Sequence, residues 1–150
     1  MICLTANKFS VKALPYGETI NSNVYVDFFK ATGEKWRKLH SDPVKLNELS
    51  FQHDNARPHS VKATKHFLER PGVKMITQVP YSPDFNILDL WINCHLKTKF
   101  KNTTFTNAEE MEVAALQALR DIPFEMFLHN LEKLKTYLKA VIDKNGEYIK

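Results

Sequence analysis

An α/β fold is predicted by three observations. Short apolar or period-two runs occur at 1–4, 9–14, 49–53 and 73–79, the pattern of buried or half-buried strands. Between and after them, apolar residues recur at helical spacing. Each change of pattern is marked by proline, glycine, asparagine or aspartate, the residues that terminate regular structure. Alternating strands and helices pack as a sheet covered by helices, and the turns that follow its strands are where such folds place functional groups.

The elements follow in order. Residues 5–8, polar between two strand-like runs, read as a hairpin turn. Pro15 and Gly17 end the second run. Asn21, Ser22 and Asn23 offer caps to a helix carrying Val24, Tyr25, Phe28 and Phe29 and running to about His40, with Ser41, Asp42 and Pro43 as its stop. The strand at 49–53 ends at Asp54 and Asn55. Pro58 suits the first turn of a helix that continues through Val61, Thr64, Phe67 and Leu68 to Gly72. After the strand at 73–79, residues 80–84 form a stiff turn in which Ser82 or Asp84 can cap the next helix. That helix carries Ile87, Leu88, Trp91, Ile92 and Leu96 and ends in Lys97, Lys99 and Lys101, which suit a negative helix terminus. Residues 106–109 resemble a capping box ahead of Met111, Ala115 and Leu119. Pro123 opens a last helix through Phe127, Leu131, Leu134, Leu138 and Val141, and 143–147 is a turn.

With 150 residues, 43% apolar and 25% charged, the chain reads as one domain over 1–150 with a core of its own. No apolar run approaches the roughly 20 residues of a membrane helix. The start shows no secretory signal pattern. Two cysteines, Cys3 and Cys94, make no disulfide framework; each is expected to be a small buried apolar residue in a reducing compartment. The net charge of +4 is uneven: residues 51–102 carry 8 basic and 4 acidic side chains, whereas 103–150 carry 6 and 8. A basic middle suits a polyanionic partner.

Two carboxylates stand out by position. Asp54 follows a buried strand directly, and Asp89 stands at a helix start after the next strand, with 34 residues between them. Convergent hard oxygen ligands suit Mg²⁺ or Mn²⁺, and such ions activate water or a hydroxyl against a phosphodiester. Taken by themselves, the two read first as structural residues, because aspartate favours turns and first helical turns. His53, His59, Cys94 and His95 fit no standard zinc spacing. No glycine-rich phosphate loop or nucleophile elbow is present.

The wider strings carry a family resemblance. HDNARPH at 53–59 followed by PYSPDFNILD at 80–89 resembles the catalytic core of the mariner branch of the Tc/mariner transposases. LPYGETINS at 14–22 and NGEY at 145–148 are similar to further segments of that family, so the resemblance covers nearly the whole chain. Asn86, Ile87 and Leu88 stand where mariner enzymes usually show a second proline and a small residue. The resemblance implies an incomplete ribonuclease-H-like fold, with Asp54 and Asp89 as the second and third catalytic acids and ligands of Mg²⁺ or Mn²⁺. The chain is expected to enter that fold at its second strand. Glu18, Asp27, Glu34, Asp42 and Glu48, the acids before Asp54, do not match the family's first catalytic aspartate. The same ancestry occurs in the transposase-derived half of SET–mariner fusion methyltransferases. Nothing here resembles a SET domain, so no methyltransferase activity is expected.

The resemblance further implies DNA as partner, pairing of two copies, a nuclear location and neither a membrane nor a small-molecule substrate. Arg57, which reads equally well as a salt-bridge residue, and His59 are candidate DNA contacts, as are Lys97, Lys99 and Lys101, whose default reading is a solvated helix end. The ancestral reaction is cleavage and strand transfer of transposon DNA, and the chain alone is expected to be inactive in it for want of the first aspartate. The competing expectations are a non-catalytic DNA-binding or pairing module kept by a host, and a decayed product without function.

Overall fold

The computed structural model describes residues 1–5, 8–38, 50–69 and 74–147. Its elements are strands β1 (Ile2–Thr5) and β2 (Lys8–Val11), helix α1 (Ser22–Lys38), strand β3 (Ser50–Gln52), short helices α2 (Arg57–Ser60) and α3 (Lys62–Leu68), strand β4 (Lys74–Ile76), and helices α4 (Asn93–Lys99), α5 (Ala108–Arg120) and α6 (Phe124–Asp143). A 3₁₀ turn at Pro83–Phe85 and a π turn at Leu88–Ile92 lead into α4.

The strands form two separate pairs. β1 and β2 are an antiparallel hairpin with Ile2 opposite Val11 and Cys3 opposite Ser10. β3 and β4 are parallel, with Phe51 opposite Met75. Side chains alternate faces along a strand, so Ile2, Phe9 and Val11 share one face of the hairpin. That face packs on the core cluster of Ile92, Leu96, Ala118, Leu119 and Phe127. Ser10 points to the other face, where it is buried and accepts from the Thr32 hydroxyl of α1 at 3.0 Å. Helices therefore cover both faces of the hairpin.

Helix α1 spans both strand pairs. Tyr25, Phe28 and Thr32 are its buried residues at three- and four-residue spacing, one helical stripe. Phe29 meets Phe51 of β3 edge-on at 5.9 Å, while Thr32 holds β2. Asn21 starts the helix, its Oδ1 accepting from the amides of Asn23 and Val24 at 3.0 Å. The expected extension to His40, and the stop at 41–43, lie outside the described residues.

Several boundaries differ from expectation for identifiable reasons. β2 ends at Val11 rather than 14, because its partner runs out: the last rung joins the Lys12 amide to the Met1 carbonyl at 2.9 Å. The helix expected from Pro58 to Leu68 is broken at Val61, which is extended (ψ 151°). The Thr64 hydroxyl, fully buried, takes the Pro58 carbonyl at 2.6 Å, an acceptor a continuous helix would have used. Neither Ser82 nor Asp84 caps a helix. Ser82 bonds back to the Pro80 carbonyl, Asp84 accepts from the Tyr137 hydroxyl at 2.6 Å, and Asn86 takes the Leu88 amide. The capping box before α5 is shifted by one: Asn107 accepts from the Glu110 amide at 2.8 Å, and Glu110 accepts from the Thr106 amide at 2.7 Å. Cys94 is exposed rather than buried, because α4 turns Ile92 and Leu96 inward and leaves position 94 on the outer face. Among the described residues no helix is long and apolar enough to cross a membrane.

Candidate active site

Asp54 leaves β3 as the strand ends and turns the chain into α2. Its Oδ1 accepts from the Ala56 amide at 3.0 Å, an Asx turn that fixes the carboxylate against its own backbone. The same oxygen lies 2.5 Å from Nδ1 of His59. His53 and His59 both face the Asp54 carbonyl, at 3.0 and 3.2 Å. The rings form a stack with Tyr25 of α1: His59 lies 4.0 Å from the tyrosine ring and 5.1 Å from His53. Burial, followed by the neighbouring His59, holds His53 below the ordinary imidazole value, so it is neutral near pH 7. Burial, with Cys3 and Asp54 adding to it, pushes the Tyr25 phenol up. Tyr25 thus acts as a neutral wall behind Asp54.

Asp89 occupies the π turn. Its two oxygens accept from different amides: Oδ2 from Asn86 at 3.1 Å and Oδ1 from Asn93 at 2.9 Å. Asn86 is buried, and its own Oδ1 holds the Leu88 amide at 3.0 Å. A π turn adds a residue to a helical turn and re-aims the side chains around it. Both donors are neutral amides, so they hold the carboxylate in place without pairing it with a positive charge.

A polar bridge joins the two halves. Gln52, last in β3, donates to the Phe85 carbonyl at 3.0 Å and also to Gln78 Oε1. Gln78 is buried, donates to the Ser82 carbonyl at 2.6 Å, and its own carbonyl accepts from Asn55 at 3.0 Å. The turn at 80–85 is therefore bolted to the end of β3. Asp54 and Asp89 border two cavities in common. One, about 590 Å³, lies between β1, β3 and α1; the other, about 350 Å³, lies over residues 79–83. Tyr81, fully exposed at the left-handed φ of 58°, lines the second.

The structure brings Asp54, Asp89 and His59 to the same cleft. It does not bring the basic candidates there: Arg57, Lys97, Lys99 and Lys101 line neither shared cavity. Lys99 pairs with Asp121 at 3.1 Å, a surface contact of small energetic weight. Trp91 packs into the core against Phe127. Sequence reasoning missed Asn86, Asn93, Gln52, Gln78 and Tyr25. Asn93, at i+4 from Asp89, was in principle readable from helical spacing. Asn86, three residues before Asp89, acts locally as well, whereas Gln52, Gln78 and Tyr25 act across elements and carry no local signature.

Among the described residues no group of three or more His, Cys, Asp or Glu side chains is placed to hold a metal ion. The donor chemistry of Asp54 and Asp89 nonetheless fits a hard divalent cation, both carboxylates being exposed at one cleft.

No family model matches the chain. In sequence it is 26% identical over 132 residues to the human histone-lysine N-methyltransferase SETMAR, covering 88% of this chain and 19% of that protein. In fold it superposes on the Mos1 transposase catalytic domain solved with raltegravir and Mn, at a TM-score of 0.81 and 18% identity over 99% of this chain and 76% of that one. The Mos1 strand transfer complex gives 0.77 at 19% identity, covering 96% of this chain and 40% of that one. The Mos1 mariner paired end complex with Mn gives 0.75 at 20%, covering 89% and 39%. The chain thus spans about a fifth of the length of its curated relative. The resemblance read from 53–59 and 80–89 holds on both counts: the chain is a sequence relative of SETMAR and has the ribonuclease-H-like fold of the mariner transposase catalytic domain.

Proposed function

We propose that this chain is part of a mariner-like DNA transposase whose ancestral work is metal-dependent cleavage and strand transfer of transposon DNA. The observation that carries the reading is the convergence of Asp54 and Asp89, separated by 34 residues, on one cleft of the mariner catalytic-domain fold. Asp54 and Asp89 are the residues that would hold Mg²⁺ or Mn²⁺. When bound, such an ion supplies Lewis acidity to a phosphodiester and lowers the pKa of a water or hydroxyl.

The chain's own residues do the rest. His59 and the Ala56 amide fix the rotamer of Asp54, and Asn86 and Asn93 fix both oxygens of Asp89. The Gln52–Gln78 bridge keeps the two supports in register. The exposed ring of Tyr81 offers a face on which a base can stack. Arg57, Lys97 and Lys101 supply positive charge outside the cleft, suited to phosphate contacts that position DNA without reading sequence. Two carboxylates give about −2 of charge, enough for weak binding of one ion, and the reading includes little or no strand transfer by residues 1–150 alone. DNA as partner, pairing of two copies and a nuclear location belong to the same reading.

A second reading, a non-catalytic DNA-binding module, is favoured by the lack of a third convergent ligand among the described residues. One experiment separates the two. Mn²⁺ is titrated calorimetrically into the chain and into Asp54→Ala and Asp89→Ala, and duplex binding is measured with and without Mn²⁺. The metal-site reading expects Mn²⁺ binding that both substitutions abolish. Mn²⁺ binding that ignores both, with DNA binding unaffected by metal, favours the module.

A further inference from the structure

Helix α6 carries two apolar seams, and its own core takes only one. Phe127, Leu134 and Val141 recur every seven residues and are buried. A second set, Phe124, Leu128, Leu131, Lys135, Leu138 and Ile142, follows at alternating spacings of four and three, the heptad spacing of a helix that packs along another helix. It lies about a fifth of a turn round α6 from the first and faces outward. Phe124 is 50% exposed, Leu128 44% and Ile142 73%, with Leu131 and Leu138 half-buried between them. One exposed apolar side chain is ordinary. A row of them along about 27 Å of helix marks an interaction surface.

The seam is complementary to itself. On a second copy laid antiparallel about a two-fold axis beside Lys133, Phe124 meets Ile142, Leu128 meets Leu138 and Leu131 meets Lys135. Only the central layer holds a charge. There the Lys135 stem lies along leucine while its ammonium stays at the rim with Glu132, its partner at 3.2 Å in its own chain. A lone lysine in such a seam fixes the register. The flanking charges agree. Glu125, Glu132 and Lys139 border the outer side at seven-residue spacing, and the antiparallel arrangement brings Glu125 of one copy to Lys139 of the other, twice per dimer. A parallel arrangement would set these charges against the positions of Phe127, Leu134 and Val141, which are buried.

We propose that the outer seam of α6 is an interface for a second copy of this chain, formed as an antiparallel α6–α6 pair. The contact is the same patch on both copies and closes on itself. It goes beyond the pairing of copies in the proposed function, which names no surface, and it needs neither metal nor DNA. One helix flank makes a small interface of the weak class, so half-association is expected on the order of 0.1 mM.

The test is sedimentation velocity of the full 150-residue chain carrying Cys94→Ser, which prevents a dimer linked through that exposed thiol, up to the order of 1 mM at low salt. A reversible monomer–dimer equilibrium is expected. Leu128→Lys should weaken it at least about tenfold without lowering the melting temperature. Ile142→Lys, at the most exposed seam position, repeats the test should Leu128→Lys melt early. Glu125→Lys and Lys139→Glu should each weaken association by about fivefold or more, and the chain carrying both should regain it. A chain that stays monomeric throughout would overturn the proposal. A dimer indifferent to both seam lysines would overturn this surface and leave the pairing of copies standing. Failure of the double reversal to restore association would overturn the antiparallel register.

Discussion

The imidazole of His59 and the carboxylate of Asp54 meet at 2.5 Å, Nδ1 to Oδ1, on a ring braced 4.0 Å from Tyr25. This contact fixes the orientation of a side chain that is itself half exposed. A ligating carboxylate without such a support spends its binding energy on being ordered. Removing a supporting partner of this kind costs metal affinity roughly 10–100-fold. His59→Ala is therefore expected to weaken Mn²⁺ binding by about that factor, and His59→Asn to restore part of it, because an amide can still donate to Asp54. Mn²⁺ titration of the three chains decides it. Equal affinities would show that the Asx turn at Ala56 orients Asp54 unaided.

How much of this was legible beforehand depends on whether a signal is local. Helix starts were readable at Asn21, because a cap acts on amides two and three residues away. That Asp54 and Asp89 meet at one cleft was readable from their strings and spacing. The break at Val61 was not, since it depends on the Thr64 hydroxyl reaching back to Pro58 in a buried corner. The bridge from Gln52 to Gln78 joins residues 26 apart, and neither glutamine carries a pattern. The exposure of Cys94 was missed because burial was assigned from residue type, whereas the helix phase set by Ile92 and Leu96 decides it.

Asn86 is a buried joint with two duties. It donates to Asp89 and accepts from the Leu88 amide. Asn86→Ala leaves the half-buried Leu88 amide unsatisfied and a carboxylate less anchored. A buried group stripped of its partner costs about 1–3 kcal/mol, so the urea midpoint is expected to fall by a corresponding amount. Asn93→Ala touches the more exposed oxygen of Asp89 and is expected to cost less. If Asn93→Ala proves as costly as Asn86→Ala, the buried joint is not what holds the π turn.

The core at the π turn gives a packing prediction. Ile92 is fully enclosed at 0% exposure, as is Leu119, and both belong to the cluster under the hairpin. Truncating such a residue removes transfer energy and leaves a cavity, together about 2–5 kcal/mol. Ile92→Ala is expected to lose that much in equilibrium unfolding, and Ile92→Val about 0.5–1.5 kcal/mol. Because α4 carries Cys94 outward on the same helix, Cys94→Ala should be close to neutral. A large loss at Cys94 would place the helix phase differently.

The start of α5 predicts an acid-side dependence. The Thr106 hydroxyl and then its amide hold the Glu110 carboxyl below its ordinary value of 4.5. A depressed carboxylate contributes stability above its unfolded pKa and loses it as pH falls through the folded one. The window therefore lies below about pH 4.5. Glu110→Gln should flatten the stability profile there and leave it unchanged near neutrality, as read from urea midpoints across the acid range. An unchanged acid slope would show that the capping contact does not survive in solution.

The two thiols are expected to react at very different rates. Burial pushes the Cys3 thiol up to about 11, and it lies half-buried against the strand cleft. At pH 8 about one Cys3 in a thousand is thiolate, and the thiolate is the nucleophile. Cys94 is exposed on α4. Alkylation at pH 8 should therefore modify one site rapidly, and mass spectrometry should place it at Cys94. Cys94→Ser should abolish the fast phase, and Cys3→Ser should leave it intact. Raising the pH toward 10 should accelerate Cys3 by roughly tenfold per unit. Rapid modification of Cys3 at pH 8 would mean that its thiol is solvated, which contradicts the burial that raises it.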